Sequence, residues 1–261
     1  MHVGLIGAGA IGKQVLAHLG HRPEDSVTLL MRRGKRLPDG IKISAVDGLA
    51  ALLAHRPDIV VEAAGQQAVV ELMEPILNNG IPVIICSTGA LADGALFSRL
   101  IHCAKNARVA LTIAGGAVAG LDYVRIAALM PDARIRYSSR KPVAAWRAEL
   151  AACGHDPDSL SQPVALFEGS PSEGAKLYPR NLNAALTVAL AASPAPVQVR
   201  VIADPAVSGN CHEIDVESRL GSAHMEFDNA PDPENPKTSL ITAFSVIRLL
   251  EDHRQVMARA A

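Results

Sequence analysis

His2-Val3-Gly4-Leu5-Ile6-Gly7-Ala8-Gly9-Ala10-Ile11-Gly12-Lys13-Gln14-Val15-Leu16 combines a short apolar run, three glycines and the start of a helical pattern. His2–Ile6 has the length and composition of a buried strand, and a helix is expected from about Ile11. A bare G-x-G-x-x-G is a weak pattern, but strand before and helix after are the context that gives it meaning. Gly7 permits the tight turn, Gly9 lets backbone approach a pyrophosphate, and Gly12 lets the helix sit close to the strand. The free N–H groups at a helix start attract anionic phosphates. In a βα turn without ligand, these glycines would only weaken the helix start. The stretch therefore reads as the phosphate-binding turn of a Rossmann domain, with Gly7, Gly9, Ala10, Ile11 and Gly12 against a dinucleotide.

Moving outward, Val27–Met31 is the second strand. NAD-selective sites usually end this strand with Asp or Glu against the ribose hydroxyls. Here it runs into Met31-Arg32-Arg33-Gly34-Lys35-Arg36, with no carboxylate and four cations. Guanidinium groups suit a 2′-phosphate, so Arg32 is read as a cofactor contact and the cofactor as NADP or NAD. Ile59–Ala64, Pro82–Cys86 and Val109–Ile113 are further runs of strand length, spaced for helical crossovers. This rhythm gives an α/β fold with a doubly wound parallel sheet. Ala64-Gly65-Gln66 and Ser87-Thr88-Gly89-Ala90 follow two of these strands at the C-terminal ends, where such sheets bind ligands. Ala64, Gly65, Ser87 and Thr88 are expected to reach the cofactor.

The rhythm changes after about residue 120. Arg134–Ser139 alternates as a strand, Asn181–Ala192 is an Ala-rich helix, and Val197–Ile202 follows. Cys211–Ser218 and Ala223–Phe227 lie too close for a helical crossover, so they are antiparallel neighbours. A second α+β domain with one open sheet face is expected over 121–234, inserted into a Rossmann domain formed by 1–120. Asn235-Pro236 reads as N-cap and first turn of a last helix. Its apolar residues Leu240, Ile241, Phe244, Ile247 and Leu250 need a surface to cover. That helix, 235–261, is expected to return and complete the first domain.

Of the 261 residues, 49% are hydrophobic but only 3% aromatic, so the core must be aliphatic. The formal net charge of −1 offers no clustered basic surface for nucleic acid. No apolar run is long enough for a membrane span, and no basic segment precedes the first strand, so the chain reads as cytoplasmic. The four cysteines Cys86, Cys103, Cys153 and Cys211 are widely spaced and read as buried thiols. No His/Cys cluster has metal-ligand spacing, so no metal is expected.

Asn210–Ser218 carries the candidate chemistry. Glu213, Asp215 and Glu217 share one face, while Asn210, His212, Ile214 and Val216 share the other. A histidine on an apolar face is often a satisfied core residue. His212 lies near the strand's start beside Asn210, in the domain expected to cap the nicotinamide, and imidazole titrates in the range proton transfer needs. The linker Ala114-Gly115-Gly116-Ala117-Val118-Ala119-Gly120-Leu121-Asp122 has side chains small enough for backbone to pass under a flat ring, or to hinge.

The glycine turn, this linker, Tyr178-Pro179-Arg180-Asn181-Leu182-Asn183, the Asn210–Ile214 strand and Asn235-Pro236-Lys237-Thr238-Ser239 together resemble the L-aspartate dehydrogenase family. The resemblance spans nearly the whole chain. It implies reversible NAD(P)-dependent oxidative deamination of L-aspartate to iminoaspartate, then oxaloacetate and ammonia. It places the catalytic histidine at His212 and cofactor contacts at Ala117, at Asn183 (with Asn181 the other candidate) and at Lys237. It also implies a homodimer and a link to NAD biosynthesis. Lys237, Arg140 and Lys141 are candidates, by residue type, for the substrate carboxylates. A reductase of dihydrodipicolinate-reductase-like architecture shares the turn, but its paired-histidine motif is absent. An aldehyde-type dehydrogenase would need Cys86 or Cys211 as nucleophile. An NADP-sensing protein without turnover is the remaining alternative.

Overall fold

The computed structural model describes residues 1–31, 43–178, 182–235 and 238–260. The chain divides into two compact units, Met1–Gly116 with Thr242–Ala261, and Ala117–Ile241. No helix among the described residues is long and apolar enough to cross a membrane.

The first unit runs β1 (His2–Ile6), α1 (Ala10–Gly20), β2 (Ser26–Leu30), β3 (Ile43–Val46), α2 (Leu49–Ala54), β4 (Ile59–Glu62), α3 (Gln66–Asn78), β5 (Val83–Ile85), α4 (Gly94–Ala107) and β6 (Leu111–Ile113). Its six strands lie in the order β3-β2-β1-β4-β5-β6 and every pair is parallel. This is the doubly wound order whose reversal, beside β1, opens a crevice at the strand C-termini. Val3 to Ile6 and all of β4 are buried, as a sheet covered on both faces requires. The strands are shorter than their apolar runs: β4 stops at Glu62, β5 at Ile85, and β6 starts at Leu111. β3 was not expected. Ile43-Ser44-Ala45-Val46 has too few apolar residues to stand out, and it forms because β2 offers it an edge.

The second unit contains α5 (Leu121–Ala127), β7 (Arg134–Lys141), α6 (Arg147–Ala152), β8 (Val164–Gly169), α7 (Pro171–Leu177), α8 (Asn183–Ala192), β9 (Val197–Ala203), β10 (Asn210–Ser218) and β11 (Gly221–Asn229). The sheet order is β11-β10-β7-β9-β8, and only β7 and β9 run parallel. β10 and β11 form the expected hairpin. β8 was not anticipated, because its outward positions carry no clean alternation. On β7, Ile135 and Tyr137 are buried while Arg134 and Arg136 are exposed. α5 and α8 pack against β7, β9 and β10 and bury Val124, Ala127, Ala185 and Val188. The opposite face carries polar pairs such as Arg136–Gln198 and His224–Asp215.

The last helix, α9 (Ile241–Ala260), returns to the first unit. Val246, Ile247 and Leu250 join the aliphatic cluster of Val3, Leu5, Val15, Leu16, Leu19 and Val27. Glu251 accepts from His18 at 2.9 Å and from Arg22 at 2.9 Å, and Arg254 pairs with the buried Asp25. Burial would raise the Asp25 carboxyl, but Arg254 and the terminal ammonium outweigh it and hold it below its ordinary range. Asn235 is not the cap of this helix. Its amide donates to Thr238 Oγ1, and the chain folds back so that Asp232 N–H reaches Thr238 O and Leu240 N–H reaches Ala230 O. The Asp232 carboxylate takes the N–H groups of Glu234 and Asn235. Asx residues before proline serve turns as readily as helix starts, and here the turn wins. Pro236 and Lys237 lie outside the described residues.

Candidate active site

The first unit builds a cradle around the glycine turn. Gly7 has φ +96°, and a Cβ there would stand 2.7 Å from Ala63 O. A Cβ on Gly12 would stand 2.3 Å from Gly7 O, which no backbone adjustment of tenths of an ångström relieves. Those two glycines are therefore required by the fold itself. Gly9 is different: it is exposed, and a Cβ there meets nothing within 4 Å. It caps α1 without a side-chain hydrogen bond, and the first turn carries no acidic residue. Open space over uncapped N–H groups fits a phosphate. Ala10 and Ile11, the first helical residues, are half-buried beside it.

Beneath the neighbouring loops lies a residue the sequence reading passed over. Glu62 ends β4 fully buried, and its carboxylate gathers the two loops that follow β4 and β5. Oε1 accepts from Ala64 N–H at 2.8 Å, Gly65 N–H at 2.8 Å and Ser87 Oγ–H at 2.9 Å. Oε2 accepts from Ser87 N–H at 2.9 Å and Cys86 N–H at 3.3 Å. The signal was present as a lone carboxylate closing an otherwise apolar parallel strand. The Ser87 hydroxyl, expected to face a ligand, is committed to Glu62 instead, and the Thr88 residue is fully buried. Ala64 and Gly65 stay accessible, and a Cβ on Gly65 would meet nothing within 4 Å. At the end of the unit, Gly116 N–H donates to Ser245 Oγ of α9 at 3.1 Å.

The second unit holds His212 on the helix-covered face of its sheet. The β7–β10 register sets His212 opposite Ser139 and Ile214 opposite Tyr137. His212 is 6% exposed, and its Nδ1 shares a 2.7 Å hydrogen bond with the Tyr137 hydroxyl. Burial, helped by the Lys141 charge, pushes the imidazole down to about 4, so it is neutral near pH 7. Burial raises the Tyr137 phenol far above its ordinary value, so Tyr137 keeps its proton. Neither partner was visible in the sequence, because 75 residues separate them.

The remaining candidates each have their own surroundings. Lys141 is buried on the face of Ser139, with Nζ 5.6 Å from the Trp146 ring centroid. Arg140 points to the opposite face, held by Glu213 at 2.6 Å and Asp204 at 3.0 Å. Those two carboxylates neutralise it, which removes it as a substrate ligand. Ala117 accepts from Asn229 Nδ2 at 2.8 Å, Gly120 has φ +67°, and Asn183 opens α8 exposed. Arg32, Asn181 and Lys237 lie outside the described residues. Cys86 and Cys211 are buried, and burial raises both thiols, Cys211 to about 11. Neither is activated, which removes the aldehyde-type chemistry. Cys153 is exposed, against the expectation that all four thiols are buried.

Known proteins match over nearly the whole chain. The family model described as aspartate dehydrogenase, C-terminal, matches residues 122–253, and that described as homoserine dehydrogenase, NAD binding domain, matches residues 7–114. An L-aspartate dehydrogenase 2 of Bordetella pertussis is 46% identical over 96% of both chains. The L-aspartate dehydrogenase of Methanocaldococcus jannaschii is 34% identical over 97% of this chain and 96% of its own. The crystal structure of aspartate dehydrogenase from Thermotoga maritima superposes with a TM-score of 0.78 at 30% identity, covering 97% of this chain and 96% of that one. A dihydrodipicolinate reductase from Paenisporosarcina sp. shares only the fold, with a TM-score of 0.51 at 14% identity. The chain belongs to the L-aspartate dehydrogenase family, NAD(P)-dependent oxidoreductases.

Proposed function

We propose that this protein catalyses the reversible reaction of L-aspartate, NAD(P)+ and water to oxaloacetate, ammonia, NAD(P)H and a proton, with iminoaspartate as the bound intermediate. The observation that carries the chemistry is His212: buried, neutral and fixed by Tyr137 in a chain of this family. The bound nicotinamide supplies hydride transfer to and from the substrate Cα. Gly7 and Gly12 shape the turn, the Gly7 N–H being taken by Leu30 O, while the backbone N–H groups of Gly9, Ala10 and Ile11 would hold the pyrophosphate over the open space at Gly9. Ala64 and Gly65 offer an accessible loop to the cofactor, fixed from below by Glu62, whereas Ser87 and Thr88 support that loop region from buried positions. Ala117, Asn183 and Lys237 complete the cofactor contacts. Arg32 favours NADP by pairing with a 2′-phosphate.

When its Nδ1–H donates to the Tyr137 oxygen, His212 presents an unprotonated Nε2. That nitrogen takes a proton from the substrate ammonium, or from the water that opens the imine, and returns it in the reverse direction. Low exposure excludes bulk water from the imidazole. We further propose a cytoplasmic homodimer that feeds NAD biosynthesis through iminoaspartate.

The test follows NADPH absorbance with oxaloacetate and ammonia. Consumption that needs both, and that falls by about 10²–10⁴-fold in His212→Ala while NADPH affinity is kept, supports the reading. Turnover with other oxo acids but not oxaloacetate refutes it.

A further inference from the structure

The Tyr137 hydroxyl has two partners. His212 Nδ1 stands 2.7 Å from it. The Ser139 hydroxyl, two residues further along β7 and opposite His212 in the sheet register, is the other. Tyr137, Ser139 and His212 are all buried. Beyond the phenol, Ser139 Oγ has no partner among the described residues. The three side chains form a short chain of hydrogen bonds, with the imidazole at one end and the serine at the other.

Each hydroxyl brings one hydrogen, and a neutral imidazole brings one N–H and one bare nitrogen. Burial keeps His212 neutral near pH 7. Two arrangements make both bonds of the chain. In the first, Ser139 donates to Tyr137 and Tyr137 donates to Nδ1, which puts the imidazole hydrogen on Nε2. In the second, Nδ1–H donates to Tyr137 and Tyr137 donates to Ser139, which leaves Nε2 bare. Only the second provides a base. It leaves the Ser139 hydrogen without an acceptor among the described residues, a cost in stability set against the gain of the right tautomer. The phenol has a single hydrogen, and that hydrogen turns away from His212 only if another acceptor takes it.

Resting on the reading of His212 as the base, we infer that Ser139 is a positioning residue: it accepts the Tyr137 hydrogen, so that Tyr137 accepts from His212 Nδ1–H and Nε2 stays unprotonated. Without Ser139, the phenol hydrogen has only Nδ1 to point at, and His212 becomes a donor towards the substrate.

Long-range 15N–1H NMR of protein labelled at its histidine nitrogens reads the tautomer directly. His212 is picked out of the nine histidines by its loss in His212→Gln. Near pH 7 the parent should show Nδ1–H with a bare Nε2, and Ser139→Ala the reverse. In turnover of oxaloacetate, ammonia and NADPH, Ser139→Ala should lower kcat roughly 10²-fold or more and move KM by less than about twofold, as a base held in the wrong tautomer requires. Tyr137→Phe removes the hydrogen that locks the wrong tautomer, and should lower kcat by only about tenfold. Adding Tyr137→Phe to Ser139→Ala should therefore restore turnover to that of Tyr137→Phe alone. A serine with a merely structural role gives losses that multiply instead. The NMR arm needs no turnover, so it decides the proposal even if oxaloacetate is not the substrate. An Nε2–H tautomer in the parent, an unchanged tautomer in Ser139→Ala, or multiplied losses in the double variant overturns the proposal.

Discussion

Glu62→Gln should loosen the cofactor half of the protein, and its size follows from counting donors. Five hydrogens converge on the two carboxylate oxygens, three on Oε1 and two on Oε2. The amide keeps one oxygen and turns its NH₂ towards donors. The cheaper orientation puts the nitrogen at the Oε2 place, facing the N–H groups of Cys86 and Ser87. Two hydrogen bonds to a charged acceptor are lost, each worth roughly 1.5–3 kcal/mol, or about 3–6 kcal/mol together. For a chain of this size each kcal/mol moves the melting temperature by roughly 2–4 °C, so a fall of about 10 °C or more is expected in the unfolding of the first unit. The freed loops carry Ala64, Gly65 and Ser87, so NADPH affinity, read by fluorescence titration, should weaken as well. Calorimetry on the full chain supplies the thermal arm. A melting temperature within about 2 °C of the parent would show that water or a side-chain shift replaces Glu62.

Gly9→Ala and Gly12→Ala should separate fold from ligand: the first keeps its melting temperature but loses dinucleotide affinity, the second loses both, as its Cβ would stand 2.3 Å from Gly7 O. Equal thermal loss in both, measured by calorimetry, would contradict the open space over Gly9. His212 titrates near 4 when folded against 6.5 unfolded, so the unfolded state takes up its proton first. Its contribution is whole above the unfolded value and is lost as pH falls from about 6.5 to about 4, roughly 3 kcal/mol in all. Denaturant unfolding across that window should show a shallower pH slope for His212→Gln, and identical slopes would refute the assigned environment. Arg32→Asp should weaken NADPH roughly tenfold or more and spare NADH, as loss of a charged phosphate pair requires. Equal losses for the two cofactors would place Arg32 elsewhere.

Much of the architecture was legible because its determinants are neighbours in the chain. The Gly7–Gly12 turn, the β10–β11 hairpin and the alternation that set His212 apart from Glu213 each depend on consecutive residues, and each formed as read. Of the apolar stripe read for α9, Ile247 and Leu250 pack, with Val246, into the aliphatic core of the first unit, while Ile241 and Phe244 are exposed. Local signals misled where two local structures compete. Asn235-Pro236 suits a helix start or a turn, and Asp232, which holds two N–H groups there, decided for the turn.

What the sequence left open is the partnering of buried polar groups. Glu62 looked like the ragged end of an apolar strand until its donors arrived from two loops, some of them 25 residues away. Tyr137 was one more apolar position on a strand until the β7–β10 register brought its hydroxyl to His212. Arg140 and Lys141 were equivalent cations until sheet alternation sent them to opposite faces, one neutralised and one buried beside the histidine. A turn is fixed by the φ angles and side-chain sizes of the residues that make it, so the chain by itself determined the dinucleotide cradle. A buried hydrogen bond or charge depends on which distant strand lies alongside and in what register, so the surroundings of His212 were decided only by the tertiary fold.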